Sequence, residues 1–449
     1  MIGRPFLGTP LTLNRRHFLG LAAAATTVGP FLRFAPTAAA QGDVVRTTLP
    51  NGLTVLLEER LSAETVALQL SARAGSRDDT HPGLTIMTSR MLFQGTTHYP
   101  SETDLQRAAQ LVGGTISRGT TVETSTFSAL MPAREADLGF ELLSNLVLDP
   151  LFDTGALGRQ QQITLQDLSD RLGSPSSYLD DLFTSTLFAN HPLSRPVIGT
   201  EDGIASVTRA DLLAARSRQW GANNLLLTVV GRIRAEVALA QANAYFGALP
   251  TGARVERAPV AVAPLQSGRT VRGDVGQQQV QFRLGFPVPG LGSADRYPLT
   301  ILTALMNGSG GRLFRELRVN RGLAYFAGAG YSTYSDGGAW YATANVDPQN
   351  VDEALGVVRD VLRGLRETPP SEGEVRGTAG NIAGRQVLAD ETNSARASRL
   401  ASREILGSES IEEFVRRIHE VTPADIQRVA QAYLDPERAL VVLVGPGLS

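Results

Sequence analysis

The chain has 449 residues, of which 42% are hydrophobic and 19% charged, a composition typical of a folded protein with a substantial core. The formal net charge of −2 excludes a strongly basic protein that binds nucleic acid through charge alone. Lys and Cys are absent, which excludes a lysine Schiff base, a thiolate nucleophile, disulfides and a cysteine-bound metal.

The first 40 residues have the pattern of an export signal. Arg15 and Arg16 precede an apolar, Ala-rich stretch, and residues 38–40 offer a cleavage site of three Ala. The alternative interpretation is a disordered tail with a chance Arg pair. The apolar stretch is too short and too interrupted to span a bilayer, and no later segment resembles a transmembrane helix. We therefore expect twin-arginine export, a periplasmic or otherwise exported location, and no stable membrane insertion.

The next segments alternate between strand and helix patterns. Asn51-Gly52 separates two alternating runs, which predicts a hairpin. The predicted strands cover residues 44–48, 53–58, 65–74 and two runs within 115–131, and the predicted helices cover 83–93, 101–111, 133–146 and 154–171. This order favours an α+β fold, in which helices pack on one face of a mainly antiparallel sheet.

An internal repeat indicates that the chain is duplicated. Val207-Thr208 begins a predicted helix that leads into an apolar strand ending at Gly231, and Val421-Thr422 begins the same unit, ending at Gly445. Both units span the same number of residues, and each has a capping Thr with an acidic residue three positions later. The domains predicted are an export signal (1–40), a first α+β half (41–247), a linker (248–269) and a second α+β half (270–449).

Several segments resemble the pitrilysin-type (inverzincin) zinc peptidases, the family that includes the mitochondrial processing peptidase. The resemblance is carried by residues 75–78, 83–84, 91–96, 145–153 and 306–325, and extends over essentially the whole chain after residue 40. It implies a clamshell, in which two duplicated halves enclose a peptide chamber.

The residues at the family's zinc positions differ from the ligands that the metal requires. In the family, His-x-x-Glu-His on one helix supplies two zinc ligands and the base, and a distant Glu supplies the third ligand. Here Ile86 and Arg90 occupy the two His positions, Ser89 the position of the catalytic Glu, and Asp167 that of the distant Glu. Gln160 stands where the family usually has another Glu.

This substitution pattern predicts no catalytic residue and no metal in this chain, so the expected zinc would lie in a partner subunit. Ile cannot ligate a metal, and Arg90 carries a permanent positive charge. We expect Asp167 to form an ion pair with Arg90 in place of the metal. The other histidines, His81, His98 and His191 among them, do not stand three or four residues from one another, so no helical His pair replaces the site.

The second half retains an Arg and a Tyr that the family uses to hold the substrate backbone and the developing oxyanion. The resemblance assigns these roles to Arg318 and Tyr325, both of which donate hydrogen bonds at neutral pH. The alternative interpretation is an ordinary helix-end arginine and a strand aromatic. Ser117 and Thr120 hold small polar positions on a strand that could pair with an extended peptide, although a plain edge strand fits equally well.

Three hypotheses for function follow. The first is a non-catalytic partner subunit of an exported heteromeric zinc peptidase, which forms a heterodimer with a zinc-bearing homologue, encloses a peptide or unfolded polypeptide and contributes Arg318 and Tyr325. The second is a structural or peptide-binding protein with no role in proteolysis. The third, an independent hydrolase with an unrecognised site, is the least supported, because no nucleophile motif such as Gly-x-Ser-x-Gly occurs.

Overall fold

The computed structural model describes residues 44–447, so the predicted export signal lies outside the described residues. Two sheets organise this part of the chain, one in each half. The first sheet has the strand order β1-β2-β6-β3-β5-β4. Its strands are β1 (Val44–Thr48), β2 (Thr54–Glu59), β3 (Thr65–Ala72), β4 (Thr115–Thr120), β5 (Ser125–Pro132) and β6 (Leu225–Gly231). All neighbours pair antiparallel except β2 and β6, which pair parallel.

Eight helices belong to the described part of the first half. They are α1 (Leu84–Leu92), α2 (Glu102–Leu111), α3 (Ala136–Leu148), α4 (Thr154–Gly173), α5 (Pro175–Leu187), α6 (Glu201–Ser206), α7 (Arg209–Gln219) and α8 (Ala235–Phe246). The helix predicted from residue 133 begins at Ala136, because Pro132 ends β5 and the next three residues form a 3₁₀ turn. The other predicted helices and strands of this half are present with small shifts at their ends.

The second sheet has the order β7-β11-β8-β10-β9. Its strands are β7 (Arg269–Gly273), β8 (Val280–Val288), β9 (Ala324–Thr333), β10 (Gly338–Val346) and β11 (Leu440–Val444). The helices of this half are α9 (Arg296–Met306), α10 (Arg312–Phe314), α11 (Val351–Glu367), α12 (Glu372–Ala389), α13 (Asn393–Leu406), α14 (Ile411–His419) and α15 (Pro423–Tyr433). A π-helical segment, Arg315–Asn320, directly follows α10.

The two sheets have equivalent topologies, which confirms the predicted duplication. Without β1, the first sheet reads β2-β6-β3-β5-β4, and the second has the corresponding strands in the same order. The single parallel pair also recurs, as β2 with β6 and as β7 with β11. The repeated helix starts are equivalent too: Thr208 and Asp211 form a capping box on α7, as Thr422 and Asp425 do on α15.

Each sheet carries the predicted layer of helices on one face, and the core of each half lies between sheet and helices. The opposite face of each sheet is covered by a helix from the other half. Helix α5 of the first half packs Leu179 and Phe183 against β11 of the second sheet, where Val442 is fully buried. Helix α13 of the second half packs Leu400 against β6 of the first sheet. The two halves therefore exchange one helix each.

The segment between α8 and β7 contains no helix or strand, yet it contacts the first half closely. The backbone N–H of Val255 donates to the side chain of Asn224 at 3.0 Å, and Arg257 forms two hydrogen bonds with the carboxylate of Asp78, at 3.0 and 2.6 Å. Among the helices that the structure describes, none has the length and apolar character needed to cross a membrane.

Candidate functional site

Helix α1, which carries three of the four degenerate metal positions, begins at a sharp turn. Gly83 precedes the helix with φ of +99°, a left-handed conformation that glycine adopts without strain. The buried carboxylate of Asp79 accepts hydrogen bonds from the backbone N–H groups of Gly83 at 3.0 Å and Thr85 at 2.8 Å. Burial outweighs these bonds and raises the pKa of Asp79. These contacts fix the start of α1 and hence the direction of the side chains that follow.

The predicted ion pair between Arg90 and Asp167 is present. Nη2 of Arg90 lies 2.8 Å from Oδ2 of Asp167, and Nη1 donates to the hydroxyl of Thr164 at 2.9 Å. The side chain of Arg90 is 12% exposed and that of Asp167 is 45% exposed, so the pair lies at the rim of a buried region. Both partners of Arg90 belong to α4. The guanidinium therefore links α1 to α4 at the positions where the family's metal would join them.

The donor set at these positions does not fit zinc. A zinc site needs three or four neutral imidazoles, thiolates or carboxylates around one point. Ile86 has no donor atom, and the hydroxyl of Ser89 is buried without a hydrogen-bond partner. The one carboxylate, Asp167, is already paired with a permanent cation. Within residues 44–447, no group of three His, Cys, Asp or Glu side chains is placed to hold a metal ion.

Arg118 is a further charged residue at this site, and sequence reasoning missed it. It lies on β4, the edge strand of the first sheet, and its guanidinium carbon is 5.8 Å from the centre of the Phe93 ring. Burial lowers the pKa of Arg118, the charge of Arg90 lowers it further, and Glu102 and Asp167 oppose both effects. Strand alternation gave a signal for this residue, because Arg118 shares a face with the buried Ile116.

Arg318 and Tyr325 are brought together in the second half. Arg318 lies in the π-helical segment, and its guanidinium carbon is 4.4 Å from the centre of the Tyr325 ring, a cation–π contact. One amino group also donates to the backbone carbonyl oxygen of Tyr325. Tyr325 is 76% exposed at the start of β9, the edge strand of the second sheet. Within residues 44–447, no hydrogen bond or ion pair joins either side chain to the first half.

A cavity of about 780 Å³ lies between the two halves. Ile86 and Leu168 line it from the first half, and Arg283, Tyr334 and Tyr341 line it from the second. The guanidinium carbon of Arg283 is 4.0 Å from the centre of the Tyr341 ring. Because Ile86 is one of the degenerate metal positions, the wall of this cavity is continuous with the site on α1.

The strand positions predicted to contact a peptide are divided between two environments. Thr120 lines the same cavity, whereas Ser117 is exposed on the other face of β4. Two of the histidines have local contacts within their own segments. His191 is buried, accepting a hydrogen bond from the backbone N–H of Leu193 at 3.0 Å, and His419 ends α14 with Nδ1 2.7 Å from the carbonyl oxygen of Val415.

Two duplicated α+β halves that face each other across a cavity, with the metal-ligand positions on one helix of the first half, define a clamshell of the metallopeptidase type. Residues 54–201 match the family described as "Insulinase (Peptidase family M16)", and residues 206–379 match "Peptidase M16 inactive domain". The two matches together cover most of the chain. The chain belongs to peptidase family M16, the pitrilysin-like family, as a member with a degenerate metal site.

Similar bacterial proteins match along nearly their whole length. A protein of Mycobacterium tuberculosis, described as an uncharacterized zinc protease, is 29% identical over 413 residues, which are 89% of this chain and 93% of that protein. A Streptomyces coelicolor protein with the same description is 29% identical over 417 residues, 90% of each chain. The chain is thus a homologue of bacterial proteins described as uncharacterized zinc proteases.

Solved structures share the fold. The M16 inactive domain from Pseudomonas fluorescens superimposes with a TM-score of 0.83 at 20% identity, covering 91% of this chain and 99% of that one. A protease from Helicobacter pylori gives a TM-score of 0.84 at 18% identity and covers 91% of this chain and all of that one. The sequence match to the inactive domain begins just before α7 of the first half, continues through β6, α8 and the linker, and ends within α12 of the second half. The metal site of the first half is lost because Ile86, Ser89, Arg90 and Asp167 stand at the positions of the family's zinc ligands and catalytic Glu.

Proposed function

We propose that this chain is a non-catalytic partner subunit of an exported heteromeric zinc peptidase. It would enclose a peptide or unfolded polypeptide together with a zinc-bearing homologue, and contribute Arg318 and Tyr325 to substrate binding. The observation that carries the proposal is the ion pair of Arg90 with Asp167, which occupies the metal-ligand positions, in a chain that keeps the Arg318–Tyr325 pair.

The geometry of the pair suits this role. A π-helical segment often occurs at a functional site, and the segment that carries Arg318 ends four residues before β9 begins. Tyr325 exposes most of its ring on an edge strand, where an extended polypeptide can approach. A guanidinium and a phenol can both donate to a substrate carbonyl and to the oxyanion that forms from it.

The test is reconstitution with a zinc-bearing partner. A neighbouring reading frame that encodes an intact His-x-x-Glu-His homologue supplies the candidate, and the two chains are co-expressed and assayed for cleavage of a quenched fluorescent peptide. We expect activity only in the complex, and Arg318→Ala or Tyr325→Phe should lower kcat by roughly tenfold to a thousandfold, as loss of an oxyanion donor does. Arg321→Ala is the matched control, since Arg321 is exposed in the same loop.

Two measurements separate this role from a purely structural one. Complex formation, followed by size-exclusion chromatography, should be unchanged in both variants, because the role proposed for the two side chains is to hold substrate. Zinc analysis of the purified chain alone should give far less than one zinc per chain. Full activity in both variants would refute the contributed site, and one tightly bound zinc per chain would refute the non-catalytic assignment.

One observation favours the second candidate, a structural or peptide-binding protein without a role in proteolysis. Arg318 already donates to the carbonyl oxygen of Tyr325 in its own chain, so part of its hydrogen-bonding capacity is used locally. In that case the pair would brace the start of β9. The reconstituted complex decides between the two, because a bracing role predicts a lower unfolding temperature for Arg318→Ala with unchanged kcat.

Export is the remaining part of the proposal, and the Arg15-Arg16 pair supports it. Replacing Arg15 and Arg16 by Lys preserves charge while removing the twin-arginine pattern. We expect this variant to accumulate in the cytoplasmic fraction as the longer, unprocessed chain. Normal export of the double variant would contradict the assignment of the signal.

A further inference from the structure

The side chain of Arg118 is partly exposed and has no partner within the described part of the chain. Its side chain makes no hydrogen bond and no ion pair with any residue from 44 to 447, and its Nε is shielded from water. Native proteins rarely leave a shielded donor such as this Nε unpaired, and the two Nη groups remain accessible to a ligand. The contact with the Phe93 ring supplies part of this replacement, but a ring face does not accept the in-plane N–H groups.

Arg118 forms no ion pair with a carboxylate of residues 44–447. The positive charge of Arg90 acts on Arg118. Asp167 is the only carboxylate that forms an ion pair with either guanidinium in the described structure. Glu102 also acts on Arg118 through its charge, but its carboxylate accepts a hydrogen bond from Gln94 at 2.6 Å and forms no ion pair with Arg118. The guanidinium of Arg118 therefore feels the charges of Glu102 and Asp167 but has neither carboxylate as a direct partner.

Three other polar atoms near the former metal positions are also buried without a hydrogen-bond partner: Oγ of Ser89, Nε of Arg90 and Oε1 of Gln160. These three polar atoms are therefore not used by any hydrogen bond within the described part of the chain. A purely structural replacement of a metal by an ion pair would favour full pairing of these groups, since each unpaired buried group destabilises the fold.

The position of Arg118 on β4 indicates which molecules can reach it. β4 is the outer strand of the sheet, so one side of its backbone is unpaired within the described chain. An extended polypeptide can add to such an edge. Thr120, two residues further along the same face of β4, lines the cavity between the halves. A polypeptide that follows this strand towards the cavity passes the guanidinium of Arg118.

We propose that Arg118, together with Arg90, binds a carboxylate group of a polypeptide held along β4. The planar guanidinium presents paired N–H groups that match the two oxygens of a carboxylate. The carboxylate is either the C-terminus of a peptide or a Glu or Asp side chain within it. The degenerate metal position is thereby a recognition site for an anion. This inference rests on the proposed peptide-binding role, and goes beyond it in naming the chemical group recognised.

The test compares three fluorescently labelled hexapeptides of otherwise identical, uncharged sequence. The first ends in an amide, the second ends in a free carboxylate, and the third ends in an amide and contains one internal Glu. Binding to the full mature chain is measured by fluorescence anisotropy at pH 7 and low salt. We expect one or both of the peptides with a carboxylate to bind about tenfold more tightly than the neutral amide, which is typical of one charge-assisted hydrogen-bond pair.

Arg118→Gln should abolish this preference, so that the three peptides bind the variant with similar affinities. Arg118→Lys keeps the charge without the planar fork, so a reduced but measurable preference is expected, and this variant decides the matter if Arg118→Gln does not fold. Arg107→Gln is the matched control, because Arg107 is exposed on α2, and it should retain the full preference. Circular dichroism of each variant verifies the fold.

The outcomes separate this inference from the proposed function. Equal binding of all three peptides to the natural chain overturns the carboxylate site and leaves peptide binding in place. A preference that survives in Arg118→Gln, or in Arg118→Lys at full size where the Gln variant does not fold, also overturns it. Absence of binding by all three peptides overturns both the site and the peptide-binding role. Preference for the free C-terminus over internal Glu identifies the terminal carboxylate as the ligand.

Discussion

Arg77, in the first half of the chain, forms an ion pair with Asp336, in the turn between β9 and β10 of the second half. The other amino group of Arg77 lies 2.6 Å from the carboxylate of Glu123, which also accepts a hydrogen bond from the backbone N–H of Ser335 at 3.2 Å. All three charged side chains are at most 9% exposed. A single buried guanidinium therefore pairs with one carboxylate from each half and ties the halves together.

Replacing Arg77 by Met should destabilise the chain strongly. The substitution leaves Glu123 and Asp336 buried without a counter-charge, and removing one partner of a buried ion pair typically costs about 3–5 kcal/mol. Urea unfolding monitored by tryptophan fluorescence measures this loss. Arg134→Met is the control, since the side chain of Arg134 is 79% exposed and should change stability by less than about 0.5 kcal/mol. Similar stabilities for the two variants would show that the buried pair does not hold the halves together.

The stability of the chain should fall in mild acid, in part through Asp336. Burial alone would raise the pKa of this carboxyl, but the hydrogen bond and charge of Arg77, with the hydroxyl of Ser335, outweigh it and hold the pKa below its ordinary value. A carboxyl with a lowered pKa stabilises the fold above the ordinary value, about 3.9, and loses that contribution as the pH falls through the lower value of the folded state.

Asp336→Asn removes this titration. We expect the free energy of unfolding of the natural chain to decrease between about pH 5 and pH 2, and to decrease less steeply in the variant. The measurement is urea unfolding at intervals of half a pH unit. The comparison isolates Asp336, because other carboxyls, such as Asp295, titrate in both proteins. Parallel curves for the two proteins would show that Asp336 does not contribute to acid sensitivity.

The exchange of α5 and α13 predicts that neither half folds alone. Without α13, the first sheet would expose the apolar face that Leu56, Leu226 and Val230 form, and without α5 the second would expose the face of β11. Exposed apolar patches of this kind cause aggregation. Residues 41–247 and 248–449, expressed separately, should be insoluble or bind a hydrophobic dye, and co-expression of the two fragments should give a soluble complex. A soluble, cooperatively unfolding first fragment would contradict this.

Much of the fold follows from local sequence patterns, and the helix exchange does not. The hairpin at Asn51-Gly52 and the repeated Thr-x-x-Asp helix starts depend on neighbouring residues, so they could be predicted. The partners of α5 and α13 could not, because an amphipathic helix shows which face it buries but not which sheet covers it. The apolar residues of α13 match a face of the first sheet more than 150 positions earlier in the chain.

Only part of the candidate site could be predicted from the sequence. The ion pair of Arg90 with Asp167 follows from the spacing of the family's ligands, because any two groups at those positions face one another across α1 and α4. Arg118 has no such spacing. It reaches the site only because β4 packs beside α1, and its buried Nε is a property of three-dimensional packing that alternation along one strand does not reveal. The contact of Arg318 with its own chain was missed for the same reason.

The ion pair of Arg90 with Asp167 should contribute measurably to stability. Asp167→Asn keeps the shape of the side chain but removes the charge, and leaves the nearly buried Arg90 with Thr164 as its remaining partner. Because Asp167 is nearly half exposed, the expected loss is modest, about 1 kcal/mol, measured by urea unfolding.

The control is Asp170→Asn on the same helix, where the exposed carboxylate accepts only a local hydrogen bond from Gln166. A double-mutant cycle with Arg90→Met isolates the pairwise energy. A coupling energy near zero would mean that the two helices are held by apolar packing, and that the charges which replace the metal ligands do not tie α1 to α4.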